Sequence, residues 1–439
     1  MSLTDQELSS IEPGEAPLVV EVPISQRRRL VTGLVLIVLG LLCVLALGLG
    51  SKAGRSAHFS LTQAGARFTI PTIALPARWV CVVLGLVVIG LGVWQIARGF
   101  TRRAMRWVIA VTVLAVVVSF FCWAATGPGG ETVDLFQLLQ NTLISAVPLI
   151  LGALAGVVGE RSGVINVAIE GQLLVGAFTG ALLGSALHND GVGVVGAMLA
   201  GGLMGGLLAV FAIKYFVNQV ILGVVLNVFA LGVTGLFYDS LMQKNPDTYN
   251  NPAVLGSIKI PILGDIPVIG PLFFDENIIV YLTYLLIIAV DVGLFRTRWG
   301  LRTRSVGEHP RAADTVGINV NRTRYVNVMA AGLIAGLGGA FLTIGQVGTF
   351  SKDISAGKGF IALAAVIFGR WSPRGAVAAA LLFGFADALQ TVLTIIGTPV
   401  TIPSSFMAML PYLATIFAVA GLVGRVRAPA ADGQPYTTR

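Results

Sequence analysis

An asparagine and a glutamate, Asn166 and Glu170, lie inside an apolar, glycine-rich stretch that runs from Gly159 to Gly184. Their spacing of four residues would place both side chains on one face of a helix. Ionisable groups at membrane depth are costly, and they usually face a protein interior or a watery path rather than lipid. The pair therefore predicts a polar stripe on one side of a buried helix, which is what a permeation route needs.

Three further amide side chains, Gln219, Asn227 and Gln346, lie within or beside apolar stretches. Asparagine and glutamine both donate and accept hydrogen bonds, so they suit a polar solute. We therefore expect a substrate pathway lined by five residues: Asn166, Glu170, Gln219, Asn227 and Gln346. The alternative for each amide is a bond to a neighbouring helix or a backbone carbonyl. The alternative for Glu170 is a structural role, in which Arg161, a buried hydroxyl or glycine-exposed backbone holds the carboxylate.

The composition places these residues in a membrane protein. The chain has 439 residues, of which 55% are hydrophobic and 11% charged, and its mean hydropathy is +0.86. These values exclude an ordinary soluble domain. Apolar stretches of roughly 20 residues match a bilayer core about 30 Å thick, and they do not alternate as the strands of a membrane barrel do. The sequence predicts an all-α polytopic membrane protein with about 11-12 transmembrane helices.

The spans are predicted from the apolar stretches. They are Leu30–Gly50, Trp79–Ala97, Trp107–Thr126, Leu135–Val158, Gly163–Leu187, Gly193–Ile213, Gln219–Leu241, Asn277–Phe295, Val326–Gly345, Gly357–Gly369, Gly375–Ile396 and Ser404–Val423. The segment Gly357–Gly369 is too short to cross a bilayer, so we expect a half-helix or re-entrant piece. Such a piece is tolerated only where it is buried in protein or lines a cavity.

Charge placement predicts the orientation and the organisation. With the N-terminus inside, most of the 29 lysines and arginines fall on the inner side, which favours cytoplasmic N- and C-termini in the cell membrane. The net charge of +8 does not indicate nucleic acid, because the basic residues lie in short loops between spans. The expected divisions are a cytoplasmic tail at 1-29, an N-terminal extension with about three spans at 30-134, a membrane core at 135-424 and a cytoplasmic tail at 425-439.

No metal site is expected. The cysteines, Cys43, Cys81 and Cys122, lie in different apolar segments, and the three histidines are far apart in predicted loops. Neither set has the spacing of metal ligands.

Glycine spacing and a faint repeat indicate a compact bundle. Many of the 54 glycines lie four apart, as in Gly152/Gly156, Gly180/Gly184, Gly202/Gly206 and Gly332/Gly336, and this spacing lets helix backbones approach closely in lipid. In addition, GVINVAIEGQL from Gly163 resembles GKGFIALAAVI from Gly357. The loop charges orient the two copies oppositely, so we expect an inverted repeat, a recurring transporter design with its site near the midplane.

The segment 296-325 is the one substantial inner loop, and we call it the arginine-rich segment. It holds seven arginines against Glu308 and Asp314, more than orientation alone requires. Pro310 suits the first turn of a short helix, and Gly317 is a natural stop. One interpretation is a solvated, lipid-facing basic loop. The other is a socket for a cytoplasmic partner that offers carboxylates.

Several motifs in order resemble one transporter family. GEHPRAADTVGINV and GKGFIALAAVIFGRWSPRGA resemble the permease subunits of ATP-binding-cassette (ABC) importers in the branched-chain amino acid and ribose group. ERSGVINVAIEGQLLVGAF and NQVILGVVLN resemble its nucleoside and simple-sugar permeases. The resemblance covers roughly Leu135 to Val423, whereas the first 134 residues match less clearly. It implies a type II ABC importer-like permease fold and transport of nucleosides or related simple sugars.

The resemblance also implies partners. Such permeases pair with a second, homologous permease, sit on cytoplasmic ATP-binding-cassette ATPases and receive substrate from an extracellular binding lipoprotein, all at a lipid membrane. No GxxxxGK[ST] phosphate loop occurs in the chain, so we expect no bound cofactor, no enzyme activity and ATP bound by the partner subunit. The residues implied in ATPase coupling lie in the arginine-rich segment: Gly307, Glu308, Pro310, Arg311, Ala312, Ala313 and Gly317.

The rival hypothesis is a secondary transporter driven by an ion gradient. Glu170 and Asp387 would then be the coupling carboxylates. An ion-driven carrier does not require the arginine-rich segment, which favours the ATP-driven class. An intramembrane enzyme lacks support, since no HExxH or GxSxG motif occurs.

Overall fold

The computed structural model describes most of the chain: residues 26–52, 54–62, 70–128, 132–400, 402–407, 409–410, 413 and 427–437. Ten helices within these residues are long and apolar enough to cross a membrane, as the all-α prediction requires. The predicted tail at 1-29 is described only from residue 26. Most of the predicted last span, Ser404–Val423, lies outside the described residues.

The first of two compact units spans residues 1–58 and 74–131. Its helices are α1 (Gln26–Leu41, continued by a π-helical stretch Leu42–Gly48), α2 (Ala77–Ala97) and α3 (Arg102–Ala124). Helix α1 packs against α2 through glycines, because a Cβ built on Gly40 would lie 2.7 Å from the Gly85 carbonyl oxygen. Three helices thus occupy the predicted extension. The short strands β1 (Ser56–Ser60) and β2 (Ile73–Pro76) lie in the connection between α1 and α2.

The second unit spans residues 59–73 and 132–439 and begins with β3 (Thr132–Asp134). Its other elements follow in chain order. They are α4 (Leu135–Glu160), α5 (Ile169–Ala186), α6 (Asp190–Ala209), α7 (Gln219–Phe237), α8 (Pro246–Tyr249), β4 (Ile258–Lys259), α9 (Ile269–Phe273), β5 (Asp275–Glu276), α10 (Ile278–Arg296), α11 (Arg298–Glu308), α12 (Pro310–Thr315), α13 (Val320–Leu342), α14 (Lys358–Phe368), α15 (Pro373–Ile396) and α16 (Ser404–Met407). Strands β4 and β5 pair antiparallel, with Ile258 opposite Glu276. Helices α6, α7 and α13 continue as π-helical turns to Lys214, Met242 and Val347.

Helix α4 is the centre of this unit, because α13, α14 and α15 pack around it and bury most of its length. Helices α5, α6 and α13 meet through glycines: a Cβ on Gly176 would lie 2.6 Å from the Gly336 carbonyl oxygen, and one on Gly201 would lie 2.4 Å from that of Gly332. Close packing is thus confirmed at Gly332 and Gly336. It is not found at Gly206, where a Cβ would meet nothing within 4 Å.

Two helix predictions are confirmed, and two need correction. The short helix at Gly357–Gly369 is α14, with 11 residues, and the helix predicted from Pro310 is α12. The span predicted from Gly163 becomes helical only at Ile169, because side chains of other helices hold residues 161–168 in a non-helical path. The arginine-rich segment contains a second helix, α11, that the sequence analysis treated as loop.

Candidate functional site

The candidate site begins with residues 161–168, the non-helical connection between α4 and α5, which we call the entry loop. Gly163 adopts a φ of 85°, a left-handed conformation that glycine tolerates at no steric cost. A Cβ on Gly223 of α7 would lie 2.7 Å from the Val167 Cβ, so α7 presses directly on this loop. Backbone buried in this way must find hydrogen-bond partners, since none is available from lipid.

Two of the predicted pathway residues, both on α7, supply those partners. The Gln219 Oε1 atom accepts a hydrogen bond from the Ile165 backbone N–H at 2.7 Å. The Asn227 Oδ1 atom accepts from the Gly171 N–H at 2.8 Å, and its Nδ2 donates to the Val167 carbonyl at 2.9 Å. Both side chains are buried. They anchor the entry loop and the first turn of α5.

A reciprocal pair of amides closes the same region. The Asn166 Nδ2 donates to Gln172 Oε1 at 3.1 Å, and the Gln172 Nε2 donates to Asn166 Oδ1 at 3.3 Å. Both side chains are fully buried. Gln172 is not among the predicted residues, although its position two residues after Glu170 in the same apolar stretch is a usable signal.

The Glu170 carboxylate joins the starts of two helices. One oxygen accepts from the Ser355 hydroxyl at 2.6 Å and the Gly357 N–H at 2.8 Å, and the other accepts from the Gly359 N–H at 2.6 Å. Gly357 and Gly359 begin α14, while Glu170 itself lies in the first turn of α5. Negative charge is stabilised at helix N-termini, where backbone N–H groups lack partners within the helix. The Glu170 carboxylate therefore joins the first turn of α5 to the N-terminus of α14.

Asn166, Glu170, Gln219 and Asn227 thus come together, and we call them the polar bracket. Each of these side chains is hydrogen-bonded to protein, which is the alternative to solute contact given above for the amides. The partners of Glu170 are a hydroxyl and glycine backbone, which is the structural alternative given for that residue. Arg161 instead donates from Nε to the Trp371 carbonyl at 2.7 Å. Contact of the bracket with substrate stays a prediction.

Gln346 lies apart from the bracket, exposed at the end of α13. It lines a cavity of about 310 Å³, which we call the polar cavity; its other polar lining residues are Gln140, Ser257, Asp275, Glu276 and Asn277. Glu276 is 7% exposed, and its Oε1 has no hydrogen-bond partner among the described residues. Burial, and secondarily the charge of Asp275, raises the pKa of Glu276 to about 7. Asp275 and Glu276 form the short strand β5, and neither stands out in the sequence as a polar residue within an apolar stretch.

The predicted coupling residues form a compact surface at the other end of α13. Ala313 is buried, whereas Arg311, Ala312 and Asp314 are exposed. Gly317, with a φ of 83°, ends α12: its N–H donates to the Asp314 carbonyl at 2.9 Å. One face of α12 is therefore free to meet a partner, and Val316 beside it is 74% exposed.

Gly307 and Glu308 connect this surface to the entry loop and to the end of the described chain. A Cβ on Gly307 would lie 2.3 Å from the Arg161 carbonyl oxygen, so only glycine permits this approach. The Glu308 Oε2 accepts from the Ala430 N–H at 3.2 Å. Displacement of α12 therefore has a short route to the polar bracket.

The family model for the branched-chain amino acid transport system permease component matches residues 138–420. The guanosine ABC transporter permease protein NupQ of Bacillus subtilis (strain 168) is 44% identical over 317 residues, which cover 69% of this chain and 98% of that protein. The nucleoside ABC transporter permease protein NupC of Lactococcus lactis subsp. cremoris (strain MG1363) is 38% identical, covering 70% of this chain and 98% of that protein. A glucose ABC transporter permease protein of Haloferax volcanii is 28% identical, covering 56% and 67%. No solved structure matches.

Proposed function

This chain belongs to the permease family of the branched-chain amino acid transport system, and from that premise we propose that it forms the membrane passage of an ATP-driven importer of nucleosides. The observation that carries the proposal is the 44% identity over nearly the whole length of a guanosine permease. The glucose permease among its relatives gives simple sugars as the second candidate substrates.

The proposed partners follow from this class of transporter. Cytoplasmic ATPases that bind the ATP dock on α12, a second homologous permease completes the passage, and an extracellular binding lipoprotein delivers the substrate. Both termini are cytoplasmic, since this orientation puts the arginine-rich segment inside. The exposed face of α12, with Arg311 and Val316, supports the docking of an ATPase, because arginine pairs well with carboxylates.

In the proposed pathway, the predicted residues have two different roles. The polar cavity, with Gln346, receives the solute at the outer end, where amides and a carboxylate can bond ribose hydroxyls and base amides. The polar bracket fixes the starts of α5 and α14 deeper in the protein. When ATP closes the ATPases, α12 moves as part of a rigid body, and the entry loop follows, which opens and closes the passage.

The substrate is tested by uptake of labelled guanosine into cells that express the complete transporter. We expect unlabelled nucleosides to compete and glucose to leave uptake unchanged. Uptake should stop when ATP is depleted and continue when ion gradients are collapsed. Glucose uptake without guanosine uptake would favour the second candidate, and dependence on an ion gradient alone would favour a secondary transporter.

ATPase docking is tested by replacing residues 308–317 with a glycine-serine linker of equal length. We expect ATP-dependent uptake to be lost while the protein stays inserted and abundant, because the docking helix is gone and the spans are intact. Replacement of residues 260–269, also ten residues, in the proline-containing stretch between α8 and β5, is the control and should leave ATPase association unchanged. Retained uptake in the 308–317 variant would contradict the proposed role of α12.

A further inference from the structure

Residues 427–437 form an ordered, non-helical segment on the arginine-rich end of the second unit, and we call them the docked segment. They lie beyond the region that the family model matches, residues 138–420. The Ala431 N–H donates to the Gly307 carbonyl at 2.9 Å. The Arg324 Nη1 donates to the Gln434 carbonyl at 2.9 Å. The backbone of the segment is therefore bonded to both α11 and α13.

Tyr436 fixes the segment to α12. It is buried and packs in a small apolar cluster with Val306 of α11, Ala313 of α12 and Val320 of α13. Its hydroxyl bonds to Asp314, and this bond raises the pKa of Tyr436 above its usual value. The inward face of the proposed ATPase-docking helix thus rests on the docked segment.

Gly433 fixes the same segment to the entry loop. It has a φ of 74°, and a Cβ there would lie 2.7 Å from the Ile165 Cδ1. A Cβ on Gly163 would lie 3.1 Å from the Ala431 carbonyl oxygen. Ile165 is in turn held by Gln219 of the polar bracket. The docked segment therefore contacts α12 at one end and the entry loop at the other, and the entry loop is bonded to the polar bracket.

Buried ionisable groups lie close to the centre of the segment. Asp432 lies beside Arg324, which is 1% exposed, and Glu160, which is 3% exposed. Burial raises the pKa of Asp432 to about 7, although Arg324 opposes this shift. A buried arginine is costly unless acidic groups and hydrogen bonds surround it. Moving the docked segment away from α13 would remove the Gln434 carbonyl from the Arg324 Nη1 and take the nearby Asp432 away from the guanidinium.

We propose that the docked segment is a positioning element that transmits displacement of α12 to the entry loop, in parallel with the Gly307–Arg161 contact. This inference rests on the proposed function, since it takes α12 as the ATPase-docking helix. Close-packed interiors transmit displacement because they compress little. A segment that is packed on α12 at Tyr436 and on the entry loop at Gly433 is such a connection.

The test measures solute transported per ATP hydrolysed by the complete transporter in proteoliposomes. In Tyr436→Ala the segment loses its packing against α12. We expect the transport ratio to fall by about tenfold, which is typical of the coupling between two sites. ATP hydrolysis should persist. Tyr436→Phe keeps the packing, so its ratio should stay near that of the unaltered protein. Thr437→Ala, at an exposed neighbouring position, is the matched control.

Gly433→Val tests the other end of the segment, because its side chain would displace Ile165. We expect the same fall in the ratio, and Thr437→Ala again serves as the control at an exposed side chain. If Tyr436→Ala does not assemble, Tyr436→Leu is measured by the same criterion. An unchanged ratio in assembled Tyr436→Ala or Tyr436→Leu would overturn the inference. Absence of nucleoside uptake by the unaltered transporter would instead overturn the proposed function.

Discussion

Two glutamates of the second unit, Glu170 in the polar bracket and Glu276 in the polar cavity, are equally shielded at 7% exposure but differently supplied with hydrogen bonds. Three protein donors surround Glu170. Glu276 has an oxygen without a partner among the described residues and a second acid, Asp275, beside it. The first carboxylate fits a structural joint, whereas the second keeps capacity to take a proton or to accept a bond from a solute.

A buried polar group in a membrane protein can bond either another protein group or a solute. A polar residue in an apolar stretch signals that something must be bonded at that depth, but the sequence does not say whether the partner is protein or solute. The inventory of donors around each group decides between them. By that criterion, the bracket holds two helix starts, and the polar cavity is the proposed place of solute contact.

Glu170→Ala tests the structural role that distinguishes Glu170 from Glu276, and we expect it to have the largest effect of the variants proposed here. It leaves the Ser355 hydroxyl and two N-terminal amides of α14 without their acceptor, and each unsatisfied buried donor costs about 1–3 kcal/mol. We expect a loss of about 3–5 kcal/mol in the free energy of unfolding, measured as a lower thermal midpoint and a lower yield of folded protein in detergent.

Asp247→Ala, at an exposed acidic position in α8, is the control and should stay within about 0.5 kcal/mol of the unaltered protein. A Glu170→Gln variant that folds normally but changes substrate affinity would assign Glu170 to the pathway and would contradict the structural role.

Gly359→Ala tests the same joint from α14. Its Cβ would lie 2.4 Å from the Glu170 backbone nitrogen, and backbone cannot yield as a flexible side chain does. Overpacking of this kind typically costs about 1–3 kcal/mol, so we expect a lower thermal midpoint. Gly206→Ala is the matched control, because nothing lies within 4 Å of its added Cβ. Equal stability of the two variants would show that α5 and α14 do not meet closely at this point.

Asn227→Ala tests the side of the bracket that faces the entry loop. It removes the acceptor of the Gly171 N–H and the donor to the Val167 carbonyl, so we expect a loss of about 1–3 kcal/mol. Asn218→Ala, at an exposed helix cap nine residues earlier, should cost about 1 kcal/mol or less. Hydrogen exchange at Gly171 should accelerate only in the first variant. Slow exchange there would mean that Asn227 does not hold the start of α5.

Particular residues show how far the sequence predicted the fold. Pro310 and Gly317 mark the ends of α12 by local backbone chemistry, so that helix was predictable, as was the short α14. The entry loop was not, because its apolar residues 163–168 look like helix to any hydropathy criterion. Its path depends on Gln219 and Asn227, more than fifty residues away in the chain.

For the candidate site, the sequence indicated which polar residues to consider but not what they bond to. The four bracket residues were found because polar groups stand out in an apolar stretch, yet their partners could be identified only from tertiary contacts. Helix α11 was missed because its charged residues resemble a loop, although burial of Gly300, Thr303 and Val306 shows a packed face. The docked segment has no periodic pattern at all, and only its contacts reveal it.

Glu276→Gln is the mildest change, and it tests most directly whether Glu276 differs in role from Glu170. Burial raises the pKa of Glu276 from 4.5 to about 7, so the folded protein binds a proton that the unfolded chain has released over this interval. The stabilisation is present below pH 4.5 and is lost as the pH rises through about 7. We expect this decline in stability to weaken in Glu276→Gln, which cannot ionise, while Asp265→Asn, at an exposed carboxylate paired with Lys259, keeps it. Because the carboxylate lines the polar cavity, the apparent affinity for guanosine should also change across pH 7 in the unaltered transporter and be level in the variant. A level affinity profile in both, with the stability difference intact, would leave Glu276 as a second structural carboxylate and would remove the distinction from Glu170.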